Sequence, residues 1–553
     1  MTPGIGAPLR LASAQALDWD AEADIVIVGF GGAGVAAALE GLERGASVIA
    51  LDRFDGGGAT AYSGGIVYAG GTAQQHEAGC EDNPEEMAKY LAQEGVPVSS
   101  ATLERFCRDS AANLAWTAAH GVPYASTLYT GKITYPPEGK FLYYSGNEKN
   151  PQRAAKAKPA PRGHRAVGKG FTGSTYYARL REAALRLGAR VIPHAPVRRL
   201  IMDAAGNVLG VEADQLPEAA QPMHRKLYAR VNPYIPLNGK RAERAIAACA
   251  RFEREAGARP LRVRARKGVV LCAGGFIFNL ALLAQHRPEL AASYNALMRM
   301  GSMGCDGSGI ELGLSAGGEA ALMESVFVGR SLSPPEAFLR GILVNREGRR
   351  FINEDAYIGD AGQAIARQPG GSAWLVLDAR MFWRGVKDVL LLGRGRFLLW
   401  GLPVLINILL GGTRRAGTAR ALARRCGGDA AGLEASIAAY NAAQAQGAPD
   451  PQGKQATNTA AIAAGPLYAI DVSVHNRFGA TSAFTLGGLR VAEDSGAVLG
   501  KDGRAIPGLY AAGRTALGVC SSAYFSGMSI ADTLFSGRRA ARAAAEKDAE
   551  KSL

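Results

Sequence analysis

The chain has 553 residues, 48% of them apolar and 20% charged, with a formal charge of +14 at pH 7. That length exceeds one compact core, so two domains plus insertions are expected, and the composition excludes a disordered or collagen-like chain. No RRM, zinc-finger or helix-turn-helix signature accompanies the basic charge, and the seven cysteines lack any CxxC pair; nucleic acid, a disulfide framework and a metal site are therefore not expected.

In chain order, residues 1–22 form a polar leader without a basic n-region followed by an apolar h-region, so a cytoplasmic location is expected. Residues 23–28 are a short β-branched run ending in glycines, 34–44 carry Ala and Leu at helical spacing, and 47–51 read as a second strand ending in Asp52. A helix is predicted over 102–121, loop over most of 122–165, and another helix over 175–187. Residues 197–202 and 208–212, joined by Asp-Ala-Ala-Gly-Asn, predict a hairpin. A basic stretch over about 214–266 follows, read as an insertion that is either a solvated surface or a face for anionic lipid or an acidic partner. The chain returns to buried strand at 269–272, which Ala273 and Gly274 follow.

Residues 301–455 have a different texture and are assigned to a second domain; 456–545 return to strand, Gly-rich turn and helix, before a tail over 546–553. Within the inserted part, 397–410 is almost wholly apolar, with Arg394 and Arg396 before it and Arg414 and Arg415 after it. It is too short to span a bilayer, which takes about 20 apolar residues, and Pro403 and Asn407 interrupt it. The alternatives are a buried core or oligomer helix, or an interfacial segment that dips into lipid while arginines hold headgroups.

Gly29-Phe30-Gly31-Gly32-Ala33-Gly34 lies between the first strand and the first helix. Gly29 makes the tight turn, Gly31 lets backbone reach a pyrophosphate, and Gly34 allows close helix–strand packing, while the helix N-terminus offers unpaired N–H groups. Asp52, with Arg53 after it, stands about 20 residues on, where a carboxylate accepts from ribose hydroxyls. These features predict a dinucleotide site.

The second glycine run, Gly56 to Gly65, resembles that of the fumarate reductase and succinate dehydrogenase flavoproteins. By that resemblance Gly58, Ala59, Thr60, Ser63, Gly64 and Gly65 lie along the flavin. Ile506-Pro507-Gly508-Leu509-Tyr510-Ala511-Ala512-Gly513 resembles the superfamily's closing flavin motif, and Ser529 and Ile530 open the helix after it. A helix N-terminus there stabilises negative charge on a reduced flavin. The resemblance covers about 23–542 and implies an α/β fold with an α+β cap: a Rossmann-like FAD-binding domain built from N- and C-terminal segments, with a substrate domain inserted between them. No histidine stands where covalent members attach the cofactor, so FAD is expected to be noncovalent.

The chemistry narrows on a departure from that pattern. Arg350-Phe351-Ile352-Asn353-Glu354 matches the RFxNE motif of fumarate reductases, but Asp355-Ala356-Tyr357-Ile358-Gly359 follows without the arginine that delivers a proton in that family. Tyrosines appear instead: Tyr357, and Tyr524 in Ser522-Ala523-Tyr524-Phe525-Ser526-Gly527. This is similar to the 3-ketosteroid dehydrogenases, and the stretch Leu142-Tyr143-Tyr144-Ser145-Gly146-Asn147-Glu148 is more similar to their Δ4-(5α) branch than to the Δ1 branch. The resemblance implies that Tyr524 and N–H groups near Gly527 and Met528 bind the ketone oxygen, with Ser526 as helper. Tyr357 would then accept the α-proton, its pKa of ~10 lowered by neighbours. Tyr143 or Tyr144 assists, and the sequence does not choose between them. Asp306, in a Gly-Asp-Gly type of turn, is read as structural. The rivals are a Δ1 dehydrogenase, an ene reductase acting on an unsaturated acid, for which two arginines should converge on the flavin, and a flavin-bearing membrane or partner-binding protein without turnover. The sequence leaves the electron acceptor open between a quinone and a soluble carrier.

Overall fold

Ile25, Val26, Ile27 and Val28 show no polar alternation because both faces of their strand are covered. In the computed structural model, which describes residues 4–131, 133–232, 239–393, 397–479 and 481–547, this strand (Ala21–Val28) sits in a sheet of nine strands. It pairs in parallel with Val48–Leu51 on one side and with the long strand Arg259–Leu271 on the other. The end of that long strand pairs in parallel with Ala505–Ala511, so the two ends of the chain meet in one sheet. The helices Gly32–Glu43 and Met528–Glu546 lie against each other on it. Their contact is close enough that a Cβ at Gly537 would come within 2.5 Å of the Ala33 carbonyl oxygen, and Arg538 joins Glu40 at 2.6 Å.

Three expectations change. The chain re-enters the sheet at Arg259, ten residues before the first residue of 269–272, and Arg259 to Arg264 pair antiparallel with Val208–Gln215. The inserted part is thus the two helices Gln221–Tyr228 and Gly239–Glu255, and Arg262, Arg264 and Arg266 are strand residues paired with Glu212, Glu22 and Asp24. Their alternation with Leu261, Val263 and Ala265 is that of a strand with one wet face, which a count of charges hides. The leader adds an edge strand, Leu9–Leu11, parallel to Val197–Asp203. In 122–165, Leu128–Tyr129, Leu142–Tyr143 and Gly163–Arg165 form a small sheet with Ile66–Tyr68.

The inserted body is built on a second sheet, ordered Ile342–Val344, Trp374–Asp378, Leu467–Asp471 and Arg414–Ala416. Leu467–Asp471 therefore belongs to it, as Ser482–Thr485 belongs to the neighbouring three-stranded sheet, and the boundary placed at 455 is corrected to beyond these strands. A buried apolar run reads alike in either body; only its pairing partner distinguishes them. Helix Ala379–Leu390 and the segment Phe397–Gly401 with Leu402–Leu410 pack together on this body, whereas Arg394 and Arg396 lie outside the described residues.

Candidate active site

Four parallel strands end at one crevice, and each delivers a motif there. Ala21–Val28 leads to Gly29, Val48–Leu51 to Asp52, Arg259–Leu271 to Ala273 and Gly274, and Ala505–Ala511 to Gly513. The carboxyl ends of parallel strands are where an open α/β sheet binds ligands. One continuous cleft runs from this edge between the two bodies, lined by Gly29, Gly31, Gly32, Ala33, Asp52, Arg53, Gly58, Ala59, Thr60, Ser63, Gly64, Ala273, Gly274, Gly513, Ser529 and Ile530. Its far part is lined by Tyr357, Tyr524 and Ser526.

The glycines answer to contacts. At Gly29 (φ +94°) a Cβ would come within 2.7 Å of the Cys272 carbonyl oxygen, and at Gly32 within 2.4 Å of Thr60 Oγ1. Gly31 lines the cleft, and a Cβ there would meet the backbone of Gly57 and Gly58 only at ordinary van der Waals distance, 3.7 Å or more. Gly34 and Gly65 stand one layer back, against the Gly29 carbonyl and Thr172, and support the wall rather than form it. Two helix N-termini, at Gly32 and Met528, open on the cleft and offer N–H groups to negative charge. Asp52 accepts from the N–H groups of Phe30 and Phe54, both at 2.7 Å, which fixes its carboxylate at the strand end. This donor set and its glycine floor fit FAD.

Arg53 lines the cleft, but its guanidinium is committed to Glu253 and Asp306, each at 2.7 Å, so Asp306 acts as the structural partner expected of it. Ligand-type atoms of His224, Cys249 and Glu253 lie within 4.8 Å of one another. Glu253, however, is already neutralised by Arg53 and Arg198, and a metal ion there would sit beside two cations.

Ser526 is the hub at the far end. Its Oγ lies 3.3 Å from Tyr357 Oη and donates to the Thr134 carbonyl at 3.3 Å. Tyr143 Oη donates to the same carbonyl at 3.2 Å, whereas Tyr144 is half-buried under the Lys149 ammonium, 4.0 Å from its ring. Of the two alternatives, Tyr143 is the one that joins the cluster. Tyr524 is set edge-on to Phe327 and Phe484, at ring distances of 4.9 and 4.7 Å. The Met528 N–H is committed to the Phe525 carbonyl at 3.1 Å, which narrows the candidate backbone donor to Gly527, where φ is +99°.

The expected lowering of the Tyr357 pKa is not found. Burial pushes the phenol well above its ordinary value, the phenols of Tyr524 and Tyr143 add to the rise, and only the Ser526 hydrogen bond opposes it. Tyr524 is likewise raised, by burial first. Loss of water is the largest of these influences.

The RFxNE motif anchors this cluster. Glu354, fully buried, accepts from Arg350 at 2.6 Å and from Lys454 at 2.7 Å, and Arg350 also holds Asp450 at 2.6 Å. Asn353 donates to Gly453, and Asp355 accepts from Gln455 and Asn458. Tyr357 N–H donates to Asn147 Oδ1 at 2.8 Å, which ties the loop to the Leu142–Glu148 stretch singled out in the sequence.

Three cleft-lining arginines escaped the sequence reading, Arg198, Arg330 and Arg514, of which Arg198 pairs with Asp214 at 2.7 Å. Arg330 is buried and spent on the carbonyls of Gly479 and Asp471 and on Thr481 Oγ1, and burial pushes it down to about 10. Arg514 stacks 5.2 Å from the Phe484 ring centre. Nothing local in the sequence marks Arg330; Arg514 directly follows the closing flavin motif, a signal that could have found it.

Comparison with known proteins agrees with this architecture. A family model described as "FAD binding domain" matches residues 24–529. The chain is 37% identical to a 3-oxo-5-alpha-steroid 4-dehydrogenase of Comamonas testosteroni, over 92% of this chain and 96% of the relative. It is 26% identical to a 3-oxosteroid 1-dehydrogenase of Mycobacterium tuberculosis, over 91% and 94%. Among solved structures, it resembles the 3-ketosteroid-Δ4-(5α)-dehydrogenase of Rhodococcus jostii RHA1 in complex with 4-androstene-3,17-dione, with TM-score 0.79 and 30% identity, covering 98% of this chain and 100% of that one. The chain belongs to the FAD-binding-domain flavoproteins and, among them, to the family of the FAD-dependent 3-ketosteroid dehydrogenases.

Proposed function

We propose that this enzyme removes the vicinal hydrogens at C4 and C5 of a 5α-3-ketosteroid. The observation that carries the reading is the contact between Tyr357 Oη and Ser526 Oγ at 3.3 Å, in an aromatic-walled cleft continuous with the flavin cradle. A ketone acidifies its α C–H only where charge building on the oxygen is stabilised. Tyr524 and the Gly527 N–H are the donors for that oxygen. Tyr357, in its minor phenolate form, takes the C4 proton and becomes the phenol, with Ser526 Oγ 3.3 Å from its oxygen. FAD, when bound, supplies the acceptor at N5 for the hydride leaving C5. Met300, Phe327, Ile358 and Phe484 keep water from the reacting carbons.

The rival acting on an unsaturated acid calls for two arginines converging on the flavin; Arg53 and Arg198 are paired with carboxylates and Arg330 with carbonyls, while Arg514 lies over the Phe484 ring. We read the location as cytoplasmic with peripheral lipid contact, a reading supported by seven free cysteines for the first part and by the exposed apolar side chains between 383 and 410 for the second.

Purified protein incubated with a 5α-3-ketosteroid and an artificial acceptor should yield a product unsaturated between C4 and C5. A double bond between C1 and C2 would move the enzyme to the Δ1 reaction. Absence of turnover with any steroid, together with flavin reoxidation by an enoate, would refute the steroid reading. Tyr524→Phe should lower kcat about 10²- to 10³-fold, the cost of one lost oxyanion donor, with the substrate Kd changed far less. Stopped-flow flavin bleaching measures both.

A further inference from the structure

The described residues contain twelve exposed large apolar side chains, and seven fall between 383 and 410: Trp383, Leu390, Leu391, Leu398, Leu402, Leu409 and Leu410. They lie on two helical segments that pack together, Ala379–Leu390 and Phe397–Leu410, with Gly401 against Val389. The pair is two-sided. Its inner side enters the substrate cleft through Leu398, Trp400, Pro403 and Val404. Asn407 fastens it to the protein, donating to the Asp471 carbonyl at 3.1 Å and accepting from Asn476 at 2.8 Å. Its outer side leaves Leu409 78% and Leu391 72% exposed.

Charge says what covers that side. Arg380, Arg384 and Lys387 are exposed on the first helix, and Arg414 and Arg415 on the strand Arg414–Ala416 that follows the second, whereas Asp388, paired with Arg384, is the one acidic group among the described residues from 379 to 417. Apolar side chains with a cationic rim fit an anionic bilayer surface, with leucines among the acyl chains and arginines at the phosphates. A second copy of this chain would bring like charges together, and no helix among the described residues is long and apolar enough to cross a membrane.

We propose that this helical pair docks on anionic phospholipid and forms the mouth through which substrate passes from the bilayer into the cleft. The route for substrate rests on the steroid reading; the docking does not.

The test floats the FAD-loaded enzyme with phosphatidylcholine vesicles, with and without phosphatidylglycerol. Wild type should float with the anionic vesicles and be released by salt. Leu409→Asp/Leu410→Asp should lose at least about tenfold in partitioning, because charge replaces inserted side chains, and Arg414→Glu/Arg415→Glu should lose the preference for phosphatidylglycerol. Both variants should keep the flavin spectrum and the turnover of cyclodextrin-carried steroid, while KM for vesicle-borne steroid rises. Wild type that fails to float overturns the proposal, as does sedimentation showing a dimer that only the leucine variant dissociates. Flotation without steroid turnover would leave the docking in place and overturn the functional reading instead.

Discussion

Phenylalanine in place of Tyr357 is expected to lower kcat about 10²- to 10⁴-fold, the range for a lost general base, while FAD binding and folding persist. The ring is buried among Phe327, Phe525 and Tyr524, so removing one oxygen leaves the packing as it is, and the loop remains tied through the Tyr357 N–H and Asn147. The pH profile separates a base from a packing residue. Burial holds the phenol protonated well past its usual range, so the competent anion is a small fraction at neutral pH. As kcat/KM reports groups of the free enzyme, it should climb about tenfold per pH unit and show no plateau below about pH 10. Tyr357→Phe should abolish that slope. A plateau near pH 7 shared by wild type and variant would assign the base to another group.

Glu354→Ala is expected to cost about 3–5 kcal/mol of stability, because it leaves the buried Arg350 and Lys454 without their common counter-charge. Glu354 also accepts from the Leu343 N–H at 2.7 Å, so the strand Ile342–Val344 loosens with it. Urea unfolding followed by flavin fluorescence measures the loss. Since residues 353–357 hang from this network, kcat of the surviving folded fraction should fall as well. A near-normal denaturation midpoint would mean that the pairing contributes little beyond its own desolvation cost. In fumarate reductases the same motif precedes the proton-delivering arginine; here it anchors a tyrosine, with Asn353 held on Gly453 and Asp355 on Gln455 and Asn458.

The flavin side of the site was legible because its determinants are local. A turn with positive φ at Gly29, a helix N-terminus at Gly32 and a carboxylate closing the next strand at Asp52 are each set by a few neighbouring residues. Tyr357 and Tyr524 were found only through resemblance, since nothing in the spacing of 18 tyrosines separates a catalytic ring from a packed one. The arginines of 259–266 looked like surface excess because their partners, Glu22, Asp24 and Glu212, are remote in sequence.

The sequence by itself determined the dinucleotide crevice, the two-segment assembly of its sheet and the absence of the proton-delivering arginine after Glu354. The tertiary structure alone decided that Tyr143 rather than Tyr144 shares the Thr134 carbonyl with Ser526, and that Leu467–Asp471 belongs to the inserted body. It also decided that the Tyr357 pKa rises. Those outcomes depend on which distant groups share a buried space, and on how much water is left there, which no local pattern encodes.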